Sequence, residues 1–102
     1  MDQHLFKNDS TVQSLINELI QITTELDVLE TSLLFKLNEE DEQALSVFDE
    51  AVKAATIKYR AVGELIYNQG GYKLMQYCIY SIPNNKGAHS VINNAWNGIG
   101  NW

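Results

Sequence analysis

The chain has 102 residues, of which 45% are hydrophobic, so it is long enough for one domain and too apolar for a disordered chain. It carries 13 acidic and seven basic side chains and a formal net charge of -6, so neither nucleic acid nor an anionic membrane is an expected partner. The first seven residues lack the basic and apolar regions of a signal peptide, and no apolar run approaches the roughly 20 residues of a membrane span, so we expect a cytoplasmic protein.

The first predicted helix covers residues 11–37. Its apolar residues recur at alternating steps of three and four, which is the heptad pattern of a helix that packs along one face. This seam consists of Val12, Leu15, Leu19, Ile22, Leu26, Leu29 and Leu33. Asp9 or Ser10 is the expected N-cap, since a short side-chain oxygen can accept hydrogen bonds from the free amides of the first turn.

Four further apolar residues lie beside this seam and widen the apolar face: Ile16, Ile20, Leu34 and Leu37. A contact between two helices needs only the narrow seam, so the extra width predicts a second packing surface. We therefore take these four residues as the candidate oligomer interface and expect a homodimer with twofold symmetry.

The second predicted helix covers residues 39–68, with Asn38 as its expected N-cap because four carboxylates follow. Its seam runs, again at steps of three and four, through Leu45, Phe48, Val52, Ala55, Tyr59, Val62 and Ile66. Small residues keep part of this helix thin and allow another backbone to approach closely; they are Ala51, Ala54, Ala61 and Gly63. Gly63 costs roughly 1 kcal/mol relative to Ala inside a helix, which predicts either a packing reason for it or a nearby bend.

The connection between these two helices is very short, which forces them to run antiparallel. A turn centred near Glu40 pairs Leu26 with Ala55, Ile22 with Tyr59 and Leu19 with Val62. The second helix is predicted to end at Gly70–Gly71, where the composition also changes. The first 69 residues hold all 13 acidic and five basic residues, a charge of -8, whereas the remaining 33 hold only Lys73 and Lys86.

The C-terminal third is predicted to form two shorter helices. Residues 72–82 contain Tyr and Ile, which also favour strands, but no partner strand is evident and helix is the preferred interpretation. Residues 83–87 have the composition of a turn, and residues 88–97 carry an apolar helical face that predicts a buried Trp96. The fold class is therefore all-α: a single domain in which a long antiparallel hairpin is completed by two shorter C-terminal helices into a helical bundle.

The same C-terminal segment supplies the candidate binding surface. Tyr and Trp offer a large contact area with a polar tip and are frequent in binding hot spots. The candidate residues are Tyr72, Tyr80, His89, Asn93, Asn94, Asn97 and Trp102. One face of the segment is expected to pack as core while the other face binds.

Sequence motifs for catalysis are absent. The two histidines, His4 and His89, are far apart, and there is no metal-binding motif or phosphate-binding loop. Glu39 and Glu42 share a helix face but lie at a helix start, where capping explains them. Cys78 lies in an apolar stretch and is interpreted as a buried hydrophobe. We assign no catalytic residue, metal or cofactor and expect no enzymatic activity.

The sequence thus predicts a protein that acts by binding and self-association, and its acidity makes a basic protein a candidate partner. One alternative is a small-ligand binder with a Tyr/Trp-lined pocket between the hairpin and the C-terminal segment. Another is a metal-dependent hydrolase on a helical bundle, which needs several carboxylates to converge inside the bundle.

Overall fold

The computed structural model describes residues 9–84 and 87–102. Helix α1 spans Ser10–Asn38. Its N-cap is Asp9, as expected, and the Asp9 carboxylate accepts hydrogen bonds from the amides of Thr11 and Val12 at 2.8 and 3.2 Å. Two of the free amides of the first turn are thereby satisfied, which fixes the start of the helix.

Helix α2 spans Glu42–Tyr80, so the predicted start at residue 39 and the predicted Asn38 cap are wrong. Asn38 is still the last residue of α1, and Glu40 turns the chain with a φ of 57°. Asp41 is the N-cap instead, and its carboxylate accepts a 2.9 Å hydrogen bond from the amide of Ala44. Asn38 and Asp41 can both cap a helix. Because the first helix continues to Asn38, the cap of the second helix is Asp41.

Gly71 interrupts α2 with a kink, at which two helical stretches meet. Its φ of 72° and ψ of -160° fall in a region that is essentially restricted to glycine. The predicted end at Gly70–Gly71 is therefore a kink, and the segment that follows, residues 72–80, is helical rather than a strand. We call this segment the arm of α2.

Helix α3 spans Ala88–Trp96, close to the predicted 88–97. The described residues contain helices and turns and no strand, so the all-α prediction of a long hairpin followed by two shorter helical segments is confirmed. Residues 85 and 86 of the predicted turn lie outside the described residues, as does His4. In the part of the chain that is described, no helix is both long and apolar enough to cross a membrane.

The hydrophobic core is concentrated at one end of the hairpin. We call this end, where α1 begins and the kink lies, the base, and the end at residues 38–42 the tip. At the base the seam residues Leu19, Tyr59 and Ile66 are fully buried, whereas nearer the tip Leu29 and Leu33 are only half-buried. The arm and α3 cover the base and contribute the other members of the core, which include Leu74, Met75, Cys78, Ile92 and Trp96.

Trp96 fixes α3 against α2. Its side chain is fully buried, and its indole Nε1 donates a 2.8 Å hydrogen bond to the backbone carbonyl of Tyr59. The ring lies so close to Gly63 that a Cβ there would be 2.3 Å from Nε1. The predicted burial of Trp96 and the predicted packing role of Gly63 are both confirmed.

Candidate functional site

The structure divides the candidate binding residues of the C-terminal segment into separate groups. Tyr72 and Trp102 have ring centroids 5.4 Å apart, and Trp102 meets the buried Trp96 edge-on at 5.0 Å. The Trp102 indole Nε1 donates a 3.1 Å hydrogen bond to Asn93 Oδ1. These aromatic rings are packed on one another, so this group closes the end of the core.

A second group lies at the other end of α3. The rings of Tyr80 and His89 meet edge-on at 6.1 Å, and Tyr80 is 75% exposed. His89 Nε2 lies 2.7 Å from the carbonyl oxygen of Ile82, which can only accept, so Nε2 carries the hydrogen. The amide of His89 donates to Asn84 Oδ1 at 3.0 Å. His89 is thus occupied in holding the turn before α3.

Asn94 and Asn97 are exposed near the end of α3. Here Arg60 of α2 acts on the backbone: its Nη1 donates to the carbonyl oxygens of Ala95 and Asn97 at 2.9 and 2.8 Å. A cation at the C-terminal end of a helix satisfies carbonyls that have no partner within the helix and complements the helix dipole. Of the seven predicted residues, Trp102 contacts Tyr72 and Asn93, Tyr80 contacts His89, and Asn94 and Asn97 are exposed.

A cavity between the hairpin and α3 has a volume of about 150 Å³, below the roughly 300 Å³ at which small-molecule pockets begin. Tyr59 is among its lining residues, with Thr23, Leu26 and Val91, and Trp96 is not. Trp96 fills the space between α2 and α3, so the predicted Tyr/Trp-lined pocket does not correspond to this cavity.

The candidate oligomer interface is also divided. Ile16 is 5% exposed and belongs to the core of the single chain, and Ile20 packs against that core. The prediction that these two residues lie on a free outer surface is wrong. At the base, the side of α1 beside the seam packs within the chain's own core. Leu34 is 49% exposed and Leu37 half-buried, both near the tip.

A further apolar surface lies on the side of the hairpin that α3 does not cover. Gly63 and Tyr59 of α2 face α3, and helical spacing puts Ala54, Ala61 and Leu65 on the other side of α2. On that side the two long helices leave a groove, which we call the open face. It is lined by Glu18, Gln21, Ile22, Glu25 and Leu29 of α1 and by Ala51, Ala54, Lys58, Ala61 and Leu65 of α2.

The open face holds two adjoining hollows of about 370 and 180 Å³, which share Ile22, Glu25 and Lys58. A third, of about 200 Å³, is lined nearer the tip by residues that include Leu33 and Val47. Leu65 and Val47, which lie at the two ends of the open face, are 54% and 46% exposed. The face is therefore a long, shallow, largely apolar trough.

The two sides of the open face differ in size and charge. The α1 side carries the bulky Ile22 and Leu29, with the carboxylates of Glu18 and Glu25. The α2 side carries three alanines, Ala51, Ala54 and Ala61, and the ammonium group of Lys58. One helix thus presents a ridge with negative charge and the other a furrow with positive charge.

The register of the hairpin fixes which of these groups lie side by side. The hydroxyl groups of Thr23 and Tyr59 share a 2.7 Å hydrogen bond, one residue from the predicted pairing of Ile22 with Tyr59. Lys58 therefore lies at the level of Thr24 and Glu25 along the hairpin.

The described residues offer no group of side chains that could bind a metal ion and no reactive cysteine. No three of their His, Cys, Asp and Glu side chains come close enough together to hold a metal ion. Cys78 is a buried free thiol, and burial raises the pKa of this thiol to about 12. A thiol of such high pKa stays protonated near neutral pH and is a poor nucleophile.

Comparison with known proteins gives no relative: no family model matches the chain, and neither a curated protein nor a solved structure matches it.

The open face was not predicted as a site, although the sequence contained a sign of it. Val47, Ala51, Ala54, Lys58, Ala61 and Leu65 follow one another at steps of four and three. The alanines favour the close approach of another backbone, as Gly63 does, but Gly63 faces α3 and the alanines face the opposite side. A second apolar stripe offset from the main seam was the available signal.

Proposed function

We propose that this chain is a non-enzymatic helical protein that acts by binding, and that it self-associates through the open face of the hairpin. The observation that carries the proposal is the uneven covering of the hairpin: α3 and the arm cover one side of it, and the other side is an apolar trough. A second copy of the chain is the proposed occupant.

The energetics of a small domain support this proposal. A chain of this size buries a modest share of its surface, so additional burial in a dimer adds materially to its stability. The half-buried Ile22, Leu26 and Leu29 would lose their remaining contact with water under a second layer of helices. Two hairpins packed face to face form a four-helix bundle, which is the common way for such a surface to be covered.

We also propose the cytoplasm as the compartment, because the sequence has one cysteine and therefore no intrachain disulfide of the kind that stabilises small secreted domains.

The experiment is sedimentation equilibrium of the full chain at micromolar concentration, for which we expect a species of twice the chain mass. In Ala54→Glu and Ala61→Glu a long charged side chain replaces a small exposed one in the trough, and we expect both to sediment as monomers. Both positions are exposed in the single chain, so the helical circular dichroism should be retained.

Ser46→Glu is the matched control, since Ser46 is exposed on α2 and does not line the hollows of the open face. This variant should sediment like the unmodified chain. A monomer for the unmodified chain up to millimolar concentration would refute self-association, and dimers for all three variants would place the contact elsewhere.

A further inference from the structure

We infer that the second copy lies on the open face with the twofold axis parallel to the hairpin, so that α1 of each copy covers α2 of the other. This inference rests on the proposed self-association and adds the arrangement to it. Its basis is the mismatch between the two sides of the open face, in size and in charge.

The sizes of the side chains favour this arrangement. An axis parallel to the helices keeps every residue at its own level along the hairpin and exchanges the two sides of the trough. Ile22 and Leu29 of one copy then lie over the alanines of the partner, Ala61 and Ala54 among them, so that bulky residues enter a furrow. An axis across the helices would place α1 on α1 and α2 on α2.

The charges point to the same arrangement. With the axis parallel to the hairpin, Lys58 of each copy lies opposite Glu25 of the other, because the Thr23–Tyr59 hydrogen bond puts the two residues at one level. Glu18 lies about two turns further along the same side of α1. Stacking α1 on α1 would instead place Lys58 over α2 of the other copy, away from Glu25.

The charged groups are available for this role. Glu18 and Lys58 form no salt bridge within the described residues, and Glu25 accepts only a 3.3 Å hydrogen bond from the neighbouring Gln21. Both Lys58 and Glu25 are exposed in the single chain. Pairing them across the dimer would therefore break no ion pair of the described chain.

The size of the open face is close to the lower limit for a specific contact. From Glu18 to Lys36 it extends for roughly 27 Å at 1.5 Å per residue, and it is two helices of about 10 Å wide. This gives a footprint of about 540 Å² on each copy, and a total just above the roughly 1,000 Å² that a specific interface needs.

The test uses two opposite charge reversals in the full chain. Glu25→Lys alone places two lysines opposite each other on both sides of the axis, and Lys58→Glu alone does the same with two glutamates. Each variant should dimerise about tenfold more weakly than the unmodified chain, because two attractive pairs become repulsive. In an equimolar mixture the two variants form only attractive pairs, so a heterodimer as tight as the original dimer is expected.

The heterodimer is measured by sedimentation equilibrium with one variant carrying a fluorescent label. Lys53→Glu is the matched control, since Lys53 lies on the same helix, is 65% exposed and pairs with Asp49 of its own helix. It should dimerise normally and should not restore Glu25→Lys. If the unmodified chain dimerises and the mixture shows no recovery, the arrangement is refuted while self-association stands. If the unmodified chain is a monomer, both proposals are refuted.

Discussion

The indole Nε1 of Trp96 donates a 2.8 Å hydrogen bond to the backbone carbonyl oxygen of Tyr59, 37 residues earlier in the chain. This bond is possible because the residue one turn further along α2, Gly63, has no side chain. A buried indole normally needs an acceptor, and here the acceptor belongs to the main chain of another helix. The fit of α3 on α2 therefore depends on one glycine as much as on one tryptophan.

We expect Gly63→Ala to destabilise the protein although alanine is the better helix former. The added Cβ would lie within 3 Å of three atoms of the Trp96 indole, in a position where the ring is fully buried. Forcing an extra methyl group into a packed core costs about 1–3 kcal/mol. The free energy of unfolding measured with urea should fall, whereas a gain near the ~1 kcal/mol of helix propensity would contradict the contact.

Trp102→Phe should leave Trp96 as the only fluorescent indole and report its burial. Trp96 is 0% exposed, so we expect a blue-shifted emission maximum and slow quenching by iodide. The same protein in denaturing urea is the control and should show red-shifted emission that is quenched freely. Red-shifted emission from the folded protein would mean that α3 does not dock on α2 in solution.

Stability should decline at alkaline pH. Burial raises the pKa of the Cys78 thiol to about 12 from an ordinary value of 9.0, so between these values the folded state keeps a proton that the unfolded state has lost. The free energy of unfolding therefore falls as pH rises above about 9, by up to about 1.4 kcal/mol per pH unit. Burial also raises the pKa of the Tyr59 hydroxyl, which has the same sign at higher pH.

The variant Cys78→Ala isolates the contribution of the thiol. It loses some core packing at every pH, and its stability should fall less steeply between pH 9 and 10 than that of the unmodified protein. Urea unfolding at pH 7, 9 and 10 measures the difference. Equal slopes for the two proteins would show that Cys78 reaches water in the folded state.

The periodic parts of the fold could be predicted from the sequence because a seam such as Val12–Leu15–Leu19 records the direction of burial directly. The same pattern in Leu29 and Leu33 led to the same expectation, yet these residues are only half-buried. A seam specifies which face of a helix is apolar, whereas the depth of burial depends on how far the covering layer of the arm and α3 extends.

The candidate site was less predictable for a related reason. Ile16 and Ala54 both lie beside a seam, and the sequence does not state on which side of the hairpin α3 will pack. Once α3 occupies the side of Gly63, Ile16 becomes core and Ala54 lines the open face. The residue types show that both positions are suited to packing. Whether each one packs in the core or lines the open face depends on the side of the hairpin on which α3 packs.

The uneven burial of the hairpin has a consequence for its motions. Amides near Leu19 and Ile66 lie where α1, α2 and the arm are packed together, so they are expected to exchange with solvent only through opening of the whole domain. Amides near Leu33 and Leu37 lie nearer the tip, where these side chains are only half-buried, and are expected to exchange by local fraying. The free energy of opening is therefore expected to decrease from the base to the tip along the 47 Å length of the molecule. The decrease should be steepest where α3 no longer covers the hairpin.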